Sequence, residues 1–170
     1  VVFARGALEV PPIGLVAGPP LQAALLARLV PLGKTLSFTG VNYIASFAGL
    51  ITGGSATGAA AMAAQLTDIA NSCPSASLVT AGYDEGGQLV HDSAKLLTAP
   101  VAARLKAAVI FGDPDNGDAV QGVSPANTDE ICHFGDLICS TTFRAFLVLP
   151  PHLTYGIDAG AAANFIVARV

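Results

Sequence analysis

Three residues of this chain have the types, order and surroundings to do chemistry: Asp84, Asp136 and His152. Asp84 lies in Gly82-Tyr83-Asp84-Glu85-Gly86, between an apolar segment and a helix-like one. That is the layout of a nucleophile elbow, G-x-S-x-G, with aspartate at the central position. Asp136 falls in the short loop between Cys132 and Cys139, and His152 in the loop before the last helical segment. An elbow residue, then an acid, then a histidine is a known chain order for nucleophile, acid and base. A G-x-D-x-G match alone is weak in a chain with 18 glycines. A strand before it, a helix after it and two later partners in loops strengthen it.

The elements that must position these groups follow from apolar periodicity. Strands are predicted over 1–6, 35–43, 75–82, 105–113 and 130–134, and helices over 21–30, 56–72, 86–97 and 159–170. The stretch 44–55 reads as an apolar, glycine-rich loop and 114–129 as a polar loop, while 140–152 is apolar and ambiguous. Alternating strands and helices predict a three-layer α/β/α sandwich with a mostly parallel five-stranded sheet, one domain over residues 1–170. In such sheets ligands and catalytic groups gather at the carboxyl ends of the strands. Asp84, Asp136 and His152 all fall there.

The totals exclude several classes. The chain has 170 residues, 52% hydrophobic and 12% charged, with a net charge of -4. Low charge with high apolar content argues against disorder. The eight basic residues form no cluster, which excludes a nucleic-acid partner. No uninterrupted apolar run reaches the roughly 18 to 20 residues of a spanning helix. The chain starts in an apolar run without Met or signal peptide, so it reads as a mature or trimmed product. Composition leaves the three cysteines open between buried thiols and a secreted protein with a local Cys132–Cys139 bridge and Cys73 left over.

Four segments in order resemble the cutinase family of α/β-hydrolase serine esterases, with acetylxylan esterases as relatives. "NSCPSASLVTAGYDEGGQLV" resembles the family's Cys-Pro strand running into G-Y-S-Q-G. "CHFGDLIC" resembles its disulfide-clasped acid loop, "PPHLTYG" its catalytic histidine segment, and "VVFARG" its first strand. The resemblance spans nearly the whole chain. It implies a cutinase-type fold without a lid domain, a secreted monomer, no cofactor, and a lipid or cutin-like ester as partner. It also implies peripheral contact with apolar surfaces. It pairs Cys132 with Cys139 and leaves Cys73 facing a partner upstream of the first strand.

The departures lie at the chemical centre. Asp84 stands at the family's serine, Glu85 at the following Gln, and Ala7 at an oxyanion-hole Ser or Thr. An esterase needs an alcohol that histidine can deprotonate. A carboxylate attacking an ester would form an anhydride. Two carboxylates beside His152 would favour its charged form, which cannot act as a base. The expectation is a catalytically impaired protein or pseudoenzyme that binds apolar ligands. The alternative is an inactivated variant of a working esterase. An Asp-nucleophile hydrolase acting on saturated carbon is a third reading, disfavoured by the lack of Trp and of a cap-sized insertion.

Tyr83, Phe47, Phe143, Phe146, Leu147 and Val148 are expected to rim the cleft. His91 reads as a polar-face residue and His133 as a loop residue. Asp113, Asp115 and Asp118 read as a structural turn, and no His/Cys/Asp set has metal-ligand spacing.

Overall fold

In the computed structural model, residues 1–141 and 145–170 are described. They form, in chain order, β1 (Val2–Ala4), α1 (Gly18–Leu29), β2 (Thr39–Gly40), α2 (Phe47–Ile51) and α3 (Ala56–Ser72). Then follow β3 (Leu78–Tyr83), α4 (Glu85–Leu96), α5 (Ala99–Ala102), β4 (Leu105–Phe111), β5 (Thr128–Ile131) and α6 (Ala159–Val167). The five strands are all parallel, in the order β2-β1-β3-β4-β5. Crossover helices cover both faces, as parallel sheets require.

The period-two alternation of the strands sorts the core into two layers. Val2, Ala4, Leu78, Ala108 and Ile110 pack against α3 and α4 side chains such as Met62, Leu66, Leu89 and Val90. Phe3, Val79, Ala81, Val109 and Phe111 pack against Leu21, Leu25, Ala162 and Ile166 of α1 and α6. The apolar run of β4 is therefore buried on both faces. Pairing of Ala4 with Gly82, and of Tyr83 with Phe111, brings the ends of β1, β3 and β4 to one edge.

Local chemistry moved several boundaries. α1 begins at Gly18 rather than 21, because Pro19 and Pro20 suit a first turn that has no amide partners anyway. The loop expected over 44–55 contains α2, which the Ser46 side chain caps by accepting the Gly49 N–H. Ser55 caps α3 in the same way at Gly58. β2 is reduced to Thr39–Gly40, and β5 starts at Thr128, inside the stretch read as polar loop. An edge strand needs only one apolar face, so hydrophobic continuity is a poor guide to it. Phe143 lies outside the described residues. Among those described, no helix is long and apolar enough to cross a membrane.

Candidate active site

β3 is buried throughout and leads directly into Asp84, whose backbone adopts φ 55°, ψ -122°. A non-glycine residue at positive φ carries strain of about 1–3 kcal/mol that neighbours must hold in place. They do so closely. A Cβ on Gly82 would sit 2.2 Å from the Gly86 carbonyl oxygen, and one on Gly86 2.0 Å from that of Ala4. Both flanking glycines are thus required by close backbone approach. The Asp84 amide donates to Phe111 O at 3.0 Å, tying the turn to β4.

The Asp84 side chain does not cap α4. It turns across the sheet edge, where Oδ2 accepts the Ala7 N–H at 2.9 Å. Its Oδ1 lies 3.4 Å from His152 Nε2, a charge contact too long for a good hydrogen bond, and has no hydrogen-bond partner. The Ala7 loop is fixed by Glu9, whose carboxylate accepts the Gly6, Leu15 and Val16 amides at 2.8–2.9 Å. Arg5 is anchored on the carbonyls of Glu9, Val41 and Tyr43, and its guanidinium lies over the Tyr43 ring.

His152 sits on a 3-10 turn over Pro150–Leu153 and is 2% exposed. Its Nδ1 is 2.8 Å from Asp136 Oδ2. Asp136 also accepts the Tyr155 hydroxyl at 2.5 Å and the Ile138 amide at 3.0 Å. A disulfide joins Cys132 and Cys139 and closes the loop that carries Asp136. Burial alone would lower the pKa of His152. The bond to Asp136 and the nearness of Asp84 outweigh it and raise the imidazole to about 9. Burial would likewise raise Asp136, but the His152 and Tyr155 hydrogen bonds hold it below the usual carboxylate range.

Glu85 is fully buried. Burial raises its carboxyl to about 7, opposed by the Ser46 N–H that it accepts at 2.7 Å and reinforced by Asp84. Through this contact the first turn of α4 holds the start of α2.

The structure brings Ala7, Asp84, Asp136 and His152 together, with Glu85 directly behind. Tyr83, expected on the rim, is buried. Its hydroxyl donates to His152 O at 2.9 Å and its ring lies against the imidazole. Phe47, Phe146, Leu147 and Val148 are 36–55% exposed. Tyr155, Glu9 and Ser46 were missed as supports because their partners lie far away in sequence or are backbone amides. His133 is also more than a loop residue: it stacks on Tyr155 and lies 2.6 Å from Asp158.

His91 is corrected outright. It is 3% exposed, and its Nε2 lies 2.7 Å from Asp113 Oδ2. Burial works against the charged ring, but Asp113 raises its pKa above the ordinary value. The turn at Asp113 is structural as expected, since Asp113 Oδ1 accepts the Asp115 amide at 2.9 Å. It also supplies a buried partner that no helical-wheel argument would find.

A family model described as "Cutinase" matches residues 1–170. The chain belongs to the cutinase family. It is 50% identical over 166 residues to a cutinase of Botryotinia fuckeliana, covering 98% of this chain and 80% of that protein. A cutinase of Monilinia fructicola is 49% identical over the same coverage. Among solved structures, Trichoderma reesei cutinase in complex with a phosphonate inhibitor superposes with a TM-score of 0.88 at 37% identity. That match covers 98% of this chain and 74% of the other. The cutinase family acts on esters, and the fold seen here is that of its members.

Proposed function

We propose that this chain is a secreted cutinase-fold protein that binds lipid or cutin-like esters at an apolar rim and hydrolyses them little or not at all. The Asp84 carboxylate carries this reading. By resemblance it stands at the family's serine, and one of its oxygens already accepts the Ala7 N–H, at an oxyanion-hole position. A tetrahedral intermediate would have to compete with a resident anion for that donor. Loss of one such donor typically costs about 10²–10³ in rate.

The histidine supports the same reading. Raised to about 9, His152 is protonated at neutral pH and offers no lone pair for general-base work. An ester attacked by Asp84 would have to expel an alkoxide to form an anhydride, an uphill step. Loss of a serine nucleophile costs about 10⁶ in the subtilisin case.

Binding is supported by the rim. Phe47 follows Ser46, which Glu85 holds, and Phe146, Leu147 and Val148 lead into the His152 turn. Exposed apolar side chains on the segments that adjoin the site suit acyl chains. The Cys132–Cys139 disulfide supports an oxidising, extracellular location.

Turnover of p-nitrophenyl butyrate tests the reading. The chain as it stands should give background rates, and Asp84→Ser should raise kcat/KM at least about 10³-fold. Turnover by the unchanged chain within tenfold of an ordinary cutinase would overturn the proposal. Full recovery from Asp84→Ser alone would favour a working esterase stopped at one residue. A need for Glu85→Gln and Ala7→Ser as well would favour a site that has diverged as a unit. Thermal shift with fatty-acyl esters reads binding separately, and no shift with any chain length would remove the binding half.

A further inference from the structure

On the far side of α4 from the Ala7 loop, three ligand-type side chains converge from three elements. His91 comes from α4, Asp113 from the turn after β4, and Glu130 from the edge strand β5. One ligand atom from each lies within 4.8 Å of the other two. His91 and Asp113 are 3% and 1% exposed, while Glu130 is half-buried. The Glu130 Oε2 is oriented by the Gly117 N–H at 2.9 Å, and Asp113 Oδ1 by the Asp115 N–H. Both carboxylates are therefore held in place by backbone amides, an arrangement typical of ligands with fixed orientation.

His91 Nε2 faces Asp113 Oδ2 at 2.7 Å, so a proton is shared where a cation would be held, and cation binding would displace that proton. Beside the cluster lies a cavity of about 230 Å³, lined by Gly117, Asp118, Val120, Thr128 and Glu130 among others. Of the three side chains it touches Glu130, so it has room for water on the Glu130 side of the cluster. The charge balance agrees. Two carboxylates face one imidazole, and Asp115 and Asp118 add negative potential at His91 and Glu130 respectively.

We propose that His91, Asp113 and Glu130 form a divalent-cation site that ties the elbow helix to the sheet edge. One imidazole with two carboxylates suits Zn²⁺, with water from the cavity as fourth ligand. Ca²⁺ and Mg²⁺ prefer all-oxygen shells. The three ligands are separated by 22 and 17 residues in sequence, so no spacing motif announces them. The site is independent of Asp84, and its bound ion would act by bracing α4 against β4 and β5.

Titration of EDTA-treated protein with ZnCl₂, read by isothermal calorimetry and by thermal shift, tests the proposal. One equivalent should bind and raise Tm. Glu130→Gln, at a half-buried position that tolerates an isosteric change, should weaken binding at least tenfold. Asp113→Asn should do the same. Asp84→Asn and His133→Gln should leave it unchanged, which separates this site from the cleft and from the His133–Asp158 pair. Absence of binding to the unchanged chain at millimolar Zn²⁺ would overturn the proposal. Binding that survives Glu130→Gln undiminished, or that disappears in Asp84→Asn or His133→Gln, would do so equally.

Discussion

Two buried histidine–aspartate pairs lie near α4. His152–Asp136 closes at 2.8 Å at the cleft, and His91–Asp113 at 2.7 Å on the other side. In both, a carboxylate overcomes the burial penalty and raises the pKa of the ring. They differ in the third group. At the cleft it is Asp84, whose oxygens are divided between the Ala7 N–H and His152. At the second site it is Glu130, which also lines a cavity of about 230 Å³. The same buried His–Asp pairing thus occurs in two settings of this molecule, one beside a second carboxylate from the elbow and one beside a second carboxylate from the sheet edge.

Breaking one pair at a time should separate the two. Asp136→Asn leaves His152 without its main partner and should destabilise the fold by about 3–5 kcal/mol in urea titrations. It should also bring the His152 imidazole well below 9 by NMR while His91 stays where it is. A shared response of both histidines would mean that the pairs are coupled through α4.

Next in size is the pH dependence. Glu85 titrates near 7 folded against 4.5 unfolded, and His152 near 9 against 6.5. In both cases the native state holds a proton that the unfolded state has lost. This stabilisation is complete below the unfolded value and disappears as pH rises through the folded one. Stability should therefore fall from pH 4.5 to 9. Glu85→Gln should remove the part between 4.5 and 7, about 3 kcal/mol by the size of the shift. A profile unchanged by Glu85→Gln would show that its carboxyl is not the group that titrates there.

The smallest effect concerns how the cleft pair is held. Tyr155→Phe removes the hydroxyl that donates to Asp136 and accepts the His133 amide. A cost of about 1–3 kcal/mol is expected for the groups left unpaired. The hydrogen bonds of the His91–Asp113 pair do not involve Tyr155, so its NMR titration should not change.

Local turn chemistry was legible in the chain. Glycines two residues either side of position 84 can be read as an elbow because the backbone approaches itself there. The acid loop and the histidine segment are short and self-contained, so their resemblance to the cutinase family carried through to the fold. Tyr83 was misplaced because strand alternation, not its neighbours in sequence, points its ring under His152. His91 was misread because helical spacing reports which face a residue lies on, not which loop covers that face. Glu130 lay at a strand boundary that polarity obscured.

The sequence by itself determined the layered α/β fold, the order of elbow, acid and histidine, and the presence of a carboxylate at the elbow. These depend on periodicity and on residues within a few positions of one another. Only the tertiary structure decided that the Asp84 carboxylate accepts the Ala7 N–H instead of capping its own helix. It also decided that His91 meets Asp113 and Glu130. Those outcomes depend on parallel register, which brings distant strand ends to one edge, and on burial, which makes each polar group find a partner there.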